Sequence, residues 1–342
     1  MDPFKRYLPA LEEQMRQVVA PSGPNAQALY GMLHYHLGWV DAQFQPTNAN
    51  SGKRLRPIFL CLCCEAQGGD WHQALPGAVA VELLHNFSLI HDDIEDQDET
   101  RRGRPTLWAI WGMAQAINAG DTLFTLSYQA LSNLATTDLP PALMQQGFKR
   151  FNQTTLRLTE GQYLDLSFES RDQVDEETYL TMVAGKTAAL IALCCELGGL
   201  IAGAKPEQVE ALRSFGHNLG MAFQMQDDLL GLWGEPTQTG KPVGSDLIRR
   251  KKTLPILHGL THNPRLQTLL AKPDLTEADI QEALAMLENV PPTGNMGSRA
   301  YTLERAKAYH DTALAALAKA QGQGEAQATL HTLAKKLLSR DK

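Results

Sequence analysis

Two short strings in this chain set carboxylates at helical spacing, and a run of cations follows each. In the first, His85, Asp92 and Asp96 lie seven and four residues apart. On a helix, that spacing gives one imidazole and two carboxylates a common face. Asp93, Glu95, Asp98 and Glu99 thicken the negative field, and Arg101, Arg102 and Arg104 come directly after. Acids massed at a helix end repel one another unless a cation joins them, and Mg²⁺ typically takes one or two carboxylates together with substrate phosphates. Guanidinium forks suit phosphate oxygens. The same string also fits a solvated helix end whose acids and arginines neutralise each other, so a second site has to decide between the two.

That second site is the string MAFQMQDDLLGLWG, in which Gln224, Asp227 and Asp228 share a helix face and Gly231 stands one turn beyond Asp227. Lys241, Asp246, Arg249, Arg250, Lys251 and Lys252 follow it. Two helices that each present an Asp-Asp pair can clamp metal ions between them, as facing helices of bundles do. The RRKK run alone would fit a targeting or nucleic-acid patch. Its place in a repeated acid-then-base order favours chemistry on a phosphate and a metal. Gly52, Lys53, Arg54 and Arg56 precede one apolar helix and Gly185-Lys186-Thr187 opens another. Helix N-termini attract anions, although either string alone is more often plain surface. Gln162 and Asp165, three apart in EGQYLDL, read first as a core pair and second as support for a metal site.

The elements that must position these groups are helices. Hydrophobic periodicity is helical almost throughout, and no convincing alternating strand is present. Helices are expected over residues 2–20 and 25–42, either side of PSGP, then along the apolar run that ends in the first acidic string. Others follow over 108–135, 140–169, 209–233, 276–288 and 298–320. With 342 residues, 43% of them hydrophobic, the chain can bury a large core, and a single all-α domain over 1–342 is expected. A net charge of −7 excludes bulk nucleic-acid binding, which draws most of its affinity from a basic surface. The start of the sequence shows no secretory pattern, and the apolar stretch 187–204 is interrupted by Glu196 and Gly198-Gly199, so it reads as a core helix. Cys61, Cys63, Cys64, Cys194 and Cys195 have no metal-site spacing and fit buried thiols of a cytoplasmic protein.

At this point the motifs themselves resemble those of a family. GKRLRP, ELLHNFSLIHDDIED, RRGRPT, AINAGD, EGQYLDL, GKTA, FQMQDD and DDLLG are similar, in order, to signatures of the trans-isoprenyl diphosphate synthases of the polyprenyl synthetase family. Geranylgeranyl and farnesyl diphosphate synthases are the nearest in pattern, and the resemblance runs to about Leu260. It implies an isoprenoid synthase fold of long, mostly antiparallel helices around a central cavity, usually as a homodimer. It also implies a reaction in which an allylic diphosphate ionises, isopentenyl diphosphate attacks the carbocation and a proton is lost. By that resemblance Asp92, Asp96 and Asp227 bind Mg²⁺, and Arg101, Lys186, Gln224, Lys241 and Lys252 hold the allylic diphosphate. Lys53, Arg56, His85 and Arg102 hold isopentenyl diphosphate. Thr187 and Gln224 lie near the carbocation, and the released diphosphate takes the proton.

The sequence departs from the family pattern at Gly231, where the second motif usually carries a third acid. A class I terpene cyclase on the same scaffold and a non-catalytic partner subunit are the alternatives this leaves open. The lysines and arginines expected at the isopentenyl diphosphate positions favour chain elongation. Phe87 and Ser88, about one turn below Asp92, are expected to face the growing tail. Together with an uninterrupted DDIED they favour a twenty-carbon product, with fifteen carbons next.

Overall fold

The computed structural model describes residues 2–47, 49–50, 52–169, 171, 173–235, 242–289 and 296–338. Helices account for almost all of the regular structure, as the periodicity predicts. The chain divides into two compact units: Met1–Arg150 with Cys194–Val209 and Gln321–Leu330, and Phe151–Leu193 with Glu210–Ala320 and His331–Lys342.

In the first unit, α1 (Pro3–Val18) starts where Asp2 accepts hydrogen bonds from the N–H groups of Phe4 and Lys5, a cap that Pro3 follows. Helix α2 (Gln27–His36) is shorter than the expected 25–42. A 3₁₀ turn at Pro24–Ala26 precedes it, and Gly38, with φ +84°, lies just past its end. Helix α3 (Leu55–Ala66) carries three of the cysteines, and all five are free and buried within this unit. Helix α4 (Trp71–Glu95) is the long central one. Residues from Ala78 to Leu84 are all buried, so its middle is surrounded by protein on every side. It packs against α3 and α6.

A two-strand hairpin follows, which the sequence pattern had not shown. Strand β1 (Thr100–Arg101) pairs antiparallel with β2 (Arg104–Pro105), and Arg102 and Gly103 turn the corner with φ of +54° and +74°. Two positive φ values in a two-residue loop match the twist of the flanking strands, and Gly adopts them at no steric cost. Strands of two residues are too short to alternate visibly. The expected helix over 108–135 is broken by Gly112 (φ +81°) into α5 (Leu107–Trp111) and α6 (Met113–Ser132). Ala116, Ala119 and Gly120 are buried on α6, which lets the helix approach α4 closely.

In the second unit, α7 (Pro141–Glu169), whose residues from Phe151 on belong here, crosses a helical run that begins with α8 (Glu176–Val183). The run passes through a π turn at Ala184–Ala188 into α9 (Ala189–Ile201). The crossing is a backbone contact: a Cβ on Gly161 would lie 2.2 Å from the nitrogen of Lys186, and one on Gly185 would lie 2.6 Å from the carbonyl oxygen of Arg157. Helix α10 (Pro206–Trp233) carries the second acidic string. One core gathers Phe168, Tyr179, Met182, Val183, Met221, Met225 and Leu254. A second core gathers Leu232, Leu247, Ile256, Ile280 and Leu284. The helix Glu277–Glu288 begins with a capping box between Thr276 and Asp279. The apolar run Glu176–Ile201 is long enough to cross a membrane, but two-thirds of its most apolar window is buried in protein.

Candidate active site

The first acidic string lies at the C-terminal end of α4. Asp92 and Asp96 are half-buried, and the Asp96 N–H donates to the Asp92 carbonyl at 2.8 Å. Gln97 then closes the helix with φ +54°. The negative end of the helix dipole adds to these carboxylates and favours a cation there. Among the described residues no three His, Cys, Asp or Glu side chains converge into a ready-made cage. That fits Mg²⁺, which needs one or two carboxylates and leaves its other positions to water and phosphate.

The neighbouring Asp93 plays a different part. It is buried and accepts a hydrogen bond from Arg101 Nε at 2.6 Å. Burial raises its pKa to about 6, although Arg101 pulls in the opposite direction. Arg101 therefore reaches the site already tied to a carboxylate, through one of its five guanidinium donors.

Three more of the residues expected to bind diphosphate converge around α4. Arg56, in the first turn of α3, donates from Nη1 to Nε2 of His85 at 3.0 Å. Because that nitrogen accepts, the imidazole proton resides on Nδ1. Burial first, then Arg56, Arg102, Arg101 and Arg54, hold the His85 pKa well below its usual value, so the ring is neutral. Arg102, at the hairpin tip, lies over Gly52, whose Cβ would fall 2.6 Å from the Arg102 guanidinium. Gly52 has φ +87°, so both space and backbone call for glycine there. Lys53 is exposed immediately before α3.

Two arginines of the basic strings turn inward instead. Arg54, itself in the left-handed region at φ +48°, is buried. It bonds Glu82 at 2.7 Å, Glu12 at 3.2 Å and the Leu37 carbonyl at 3.2 Å. Arg104 donates to the carbonyls of Tyr35 and Val40 and lies over the Tyr35 ring. Both secure the local fold, so GKRLRP and RRGRPT each set a structural arginine beside cations expected to meet diphosphate.

Phe87 and Ser88 are half-buried on α4. The Phe87 ring meets the rings of His91 at 4.8 Å and Phe124 at 4.9 Å, and Phe124 meets Tyr128 at 5.2 Å. The His91 ring occupies the space left by Gly120, where a Cβ would fall 2.3 Å from it. Phe87 thus belongs to a cluster of edge-on and tilted rings across α4 and α6.

In the second unit, Thr187 Oγ1 donates to the amide oxygen of Gln224 at 2.8 Å, and Gln224 Nε2 donates to Asp228 at 3.1 Å. Asp228 is buried and also accepts from the Tyr179 hydroxyl and from the Leu254 N–H at 3.0 Å. Burial pushes its pKa up to about 7, against those three hydrogen bonds. Asp228 is therefore an internal acceptor, whereas Asp227 beside it is half-buried. Lys186 Nζ donates to Asp165 at 2.6 Å, which joins EGQYLDL to GKTA. GKTA does not open a helix, because the π turn holds it inside a continuous run. The π turn therefore offers no free helix-start N–H groups, and the cation of the string is the Lys186 side chain. Lys252 is half-buried, and Lys241 lies outside the described residues.

The profile of the polyprenyl synthetase family matches residues 38–287. The chain belongs to the polyprenyl synthetase family. Membership fits the motif order and both acidic strings. A (2E,6E)-farnesyl diphosphate synthase of Mycobacterium tuberculosis is 48% identical over 231 residues, 68% of this chain and 63% of that relative's length. A geranylgeranyl diphosphate synthase of the same species is 43% identical over 267 residues, 77% of this chain and 75% of its own. Among solved structures, a polyprenyl synthetase from Streptomyces coelicolor A3(2) superposes with a TM-score of 0.86 at 35% identity, covering 98% of this chain and 97% of that one. A geranylgeranyl pyrophosphate synthetase from Pyrococcus horikoshii Ot3 gives 0.85 at 34%, covering 98% of both. The chain thus has the all-α fold of the isoprenyl synthases.

Three partners were not legible in the sequence: Tyr179 beneath Asp228, the Asp93–Arg101 pair, and the inward turn of Arg54. Tyr179 lies in a segment without a motif, so nothing in the sequence could have identified it. The GRP sequence after Arg102 did carry a hairpin signal, in that Gly follows a residue at a two-residue turn.

Proposed function

We propose that this polyprenyl synthetase is a short-chain trans-prenyl diphosphate synthase, a prenyltransferase that condenses isopentenyl diphosphate with dimethylallyl, geranyl or farnesyl diphosphate. The observation that carries this reading is the convergence of Arg56, Arg102 and neutral His85 in the first unit. That is a second anion site beside the Asp92 string, which elongation requires and cyclisation does not. Lys53 completes it from the exposed loop.

The residues divide the work as follows. Asp92 and Asp96 in the first unit, and Asp227 in the second, would each hold Mg²⁺, which when bound would stabilise the negative charge that develops on the departing diphosphate. Arg101, Lys186, Gln224, Lys241 and Lys252 fix that diphosphate. Arg101 does so while its Nε stays on Asp93, and Lys186 while it is steadied by Asp165. Arg56, Arg102, Lys53 and Nδ1–H of His85 orient isopentenyl diphosphate for attack. Thr187 and Gln224 present oxygen dipoles toward the allylic carbocation, and the released diphosphate accepts the proton that is lost. The aromatic cluster at Phe87 limits the product tail, with Ser88 leaving room beside it. The product on this reading is geranylgeranyl diphosphate, with farnesyl diphosphate next. Met113 and Ile117, exposed one turn apart on α6, support a homodimer.

The test is to incubate the purified protein with Mg²⁺, isopentenyl diphosphate and each allylic starter, then size the dephosphorylated products by mass. A ladder ending at twenty carbons is expected. Cyclic hydrocarbon formed without isopentenyl diphosphate would replace this reading with a terpene cyclase. Turnover seen only after mixing with a homologue would replace it with a partner subunit.

A further inference from the structure

Arg56 has a neutral imidazole for a partner, and a second imidazole lies close to Arg102. His36, the last residue of α2, is half-buried, and its Nε2 is buried without a hydrogen-bond partner among the described residues. Burial first, then Arg102, Arg101 and Arg54, hold its pKa well below the usual value, with Asn86 pulling the other way, so this ring is neutral too. Arg102 likewise has no hydrogen-bond or ion-pair partner among the described residues. The two side chains line one cavity of about 30 Å³, shared with Asp93, Arg101 and Thr106, and it has room for one or two waters.

His36 is held in place against the hairpin that carries Arg102. Its neighbour Tyr35 donates from the hydroxyl to the Pro105 carbonyl at 2.9 Å. From the hairpin, Arg104 donates to the Tyr35 carbonyl at 3.0 Å and to the Val40 carbonyl at 2.8 Å, and its guanidinium lies 3.9 Å from the centre of the Tyr35 ring. These contacts fix the end of α2 to the hairpin, so His36 and Arg102 keep their places around the cavity. A guanidinium only donates and a carboxylate only accepts. A water beside them therefore accepts from Arg102, and its two protons go to Asp93 and to Nε2 of His36.

We propose that His36 is a positioning residue of the isopentenyl diphosphate site: its Nε2, with the imidazole proton on Nδ1, accepts from a water held by Arg102 and so sets the direction in which that guanidinium offers its remaining donors. Arg102 is then braced by His36 across one water, as Arg56 is braced by His85 directly. The proposal rests on the reading above that Arg102 holds isopentenyl diphosphate.

The experiment measures binding of isopentenyl diphosphate, and separately of geranyl diphosphate with Mg²⁺, to the full chain by titration calorimetry. The variants are His36→Phe, which keeps a ring without its nitrogens, His36→Gln, which returns an acceptor, and Arg102→Met as a control. His36→Phe is expected to weaken isopentenyl diphosphate binding roughly 3- to 10-fold and to leave geranyl diphosphate binding unchanged, with His36→Gln recovering most of the loss. Nitrogen NMR of histidine-labelled protein, with the His36 signal assigned by its absence from His36→Gln, is expected to show an unprotonated Nε2. That spectrum decides even where His36→Phe does not fold, because a protonated Nε2 would overturn the proposal. Equal losses for both diphosphates, or wild-type affinity in His36→Phe beside a loss in Arg102→Met, would overturn it and leave the assignment of Arg102 standing. Wild-type affinity in Arg102→Met, or no binding of isopentenyl diphosphate by the wild type, would overturn that assignment and the proposal with it.

Discussion

Arg101 Nε lies 2.6 Å from Oδ1 of Asp93, a carboxylate buried to 3% side-chain exposure within an otherwise acidic helix end. Removing one partner of such a pair strands the other charge, at a typical cost of about 3–5 kcal/mol. Arg101→Met should cost an amount in that range at pH 8. Asp93 has a folded pKa of about 6 against 3.8 in the open chain, and losing Arg101 raises the folded value further. At pH 5 the variant's Asp93 is therefore protonated when folded, and most of the loss should vanish. Urea denaturation of both proteins at pH 5 and pH 8 checks this, and an equal loss at both pH values would refute it.

The four-group chain from Thr187 through Gln224 to Asp228 and Tyr179 predicts a second pH effect. Asp228 has a folded pKa of about 7, so above that pH the folded state carries a buried charge supported by three donors. Tyr179→Phe removes one of them and should cost about 1.5–3 kcal/mol, the usual worth of a hydrogen bond to a charged group. The cost should be fully present at pH 8 and fall as the pH drops through 7 and Asp228 gains its proton. Denaturation midpoints across that window measure it.

Gly161→Ala should be poorly tolerated although alanine favours helix. Its Cβ would meet the Lys186 backbone nitrogen at 2.2 Å, and backbone cannot move aside as a flexible side chain can. A loss of about 1–3 kcal/mol is expected from overpacking, together with displacement of the π turn that carries Lys186 and Thr187. Thermal melting reports the first effect and a raised KM for the allylic diphosphate reports the second.

Product length should respond to the aromatic cluster around Phe87. Phe87→Ala removes the ring that Phe124 and His91 brace, and product masses should move up by one or more five-carbon steps. An unchanged distribution would make Phe87 a core residue only.

Excess chelator should abolish turnover, and Mg²⁺ should restore it, while the circular dichroism of the helices stays constant. Activity that survives chelation would remove Asp92, Asp96 and Asp227 from the metal-binding role.

The helical character and the placement of both acidic strings on helices were legible in spacing and apolar periodicity, whereas the company of Arg56, His85 and Arg102, which lie on α3, α4 and the hairpin, was implied only by the family resemblance. What escaped notice depended on contacts between distant segments. Arg54 and Arg56 are two residues apart in the same basic string, yet one bonds Glu12 and Glu82 while the other reaches His85. Only the left-handed backbone of Arg54 separates their fates. Asp227 and Asp228 likewise look equivalent in sequence, but adjacent positions on a helix point about 100° apart. One is therefore half-buried while the other enters a core with Tyr179. GKTA looked like a helix start because a π turn has no compositional mark of its own.

The five cysteines bear on how the molecule opens. All are free and buried, all belong to the first unit, and burial pushes up the thiols of Cys61, Cys64, Cys194 and Cys195, that of Cys64 to about 12. A thiol must be both exposed and deprotonated to react, so an alkylating reagent would modify them only during excursions that expose this half of the chain. The protein thus carries its own chemical clock for breathing of one unit, while the other, without a cysteine, gives no signal.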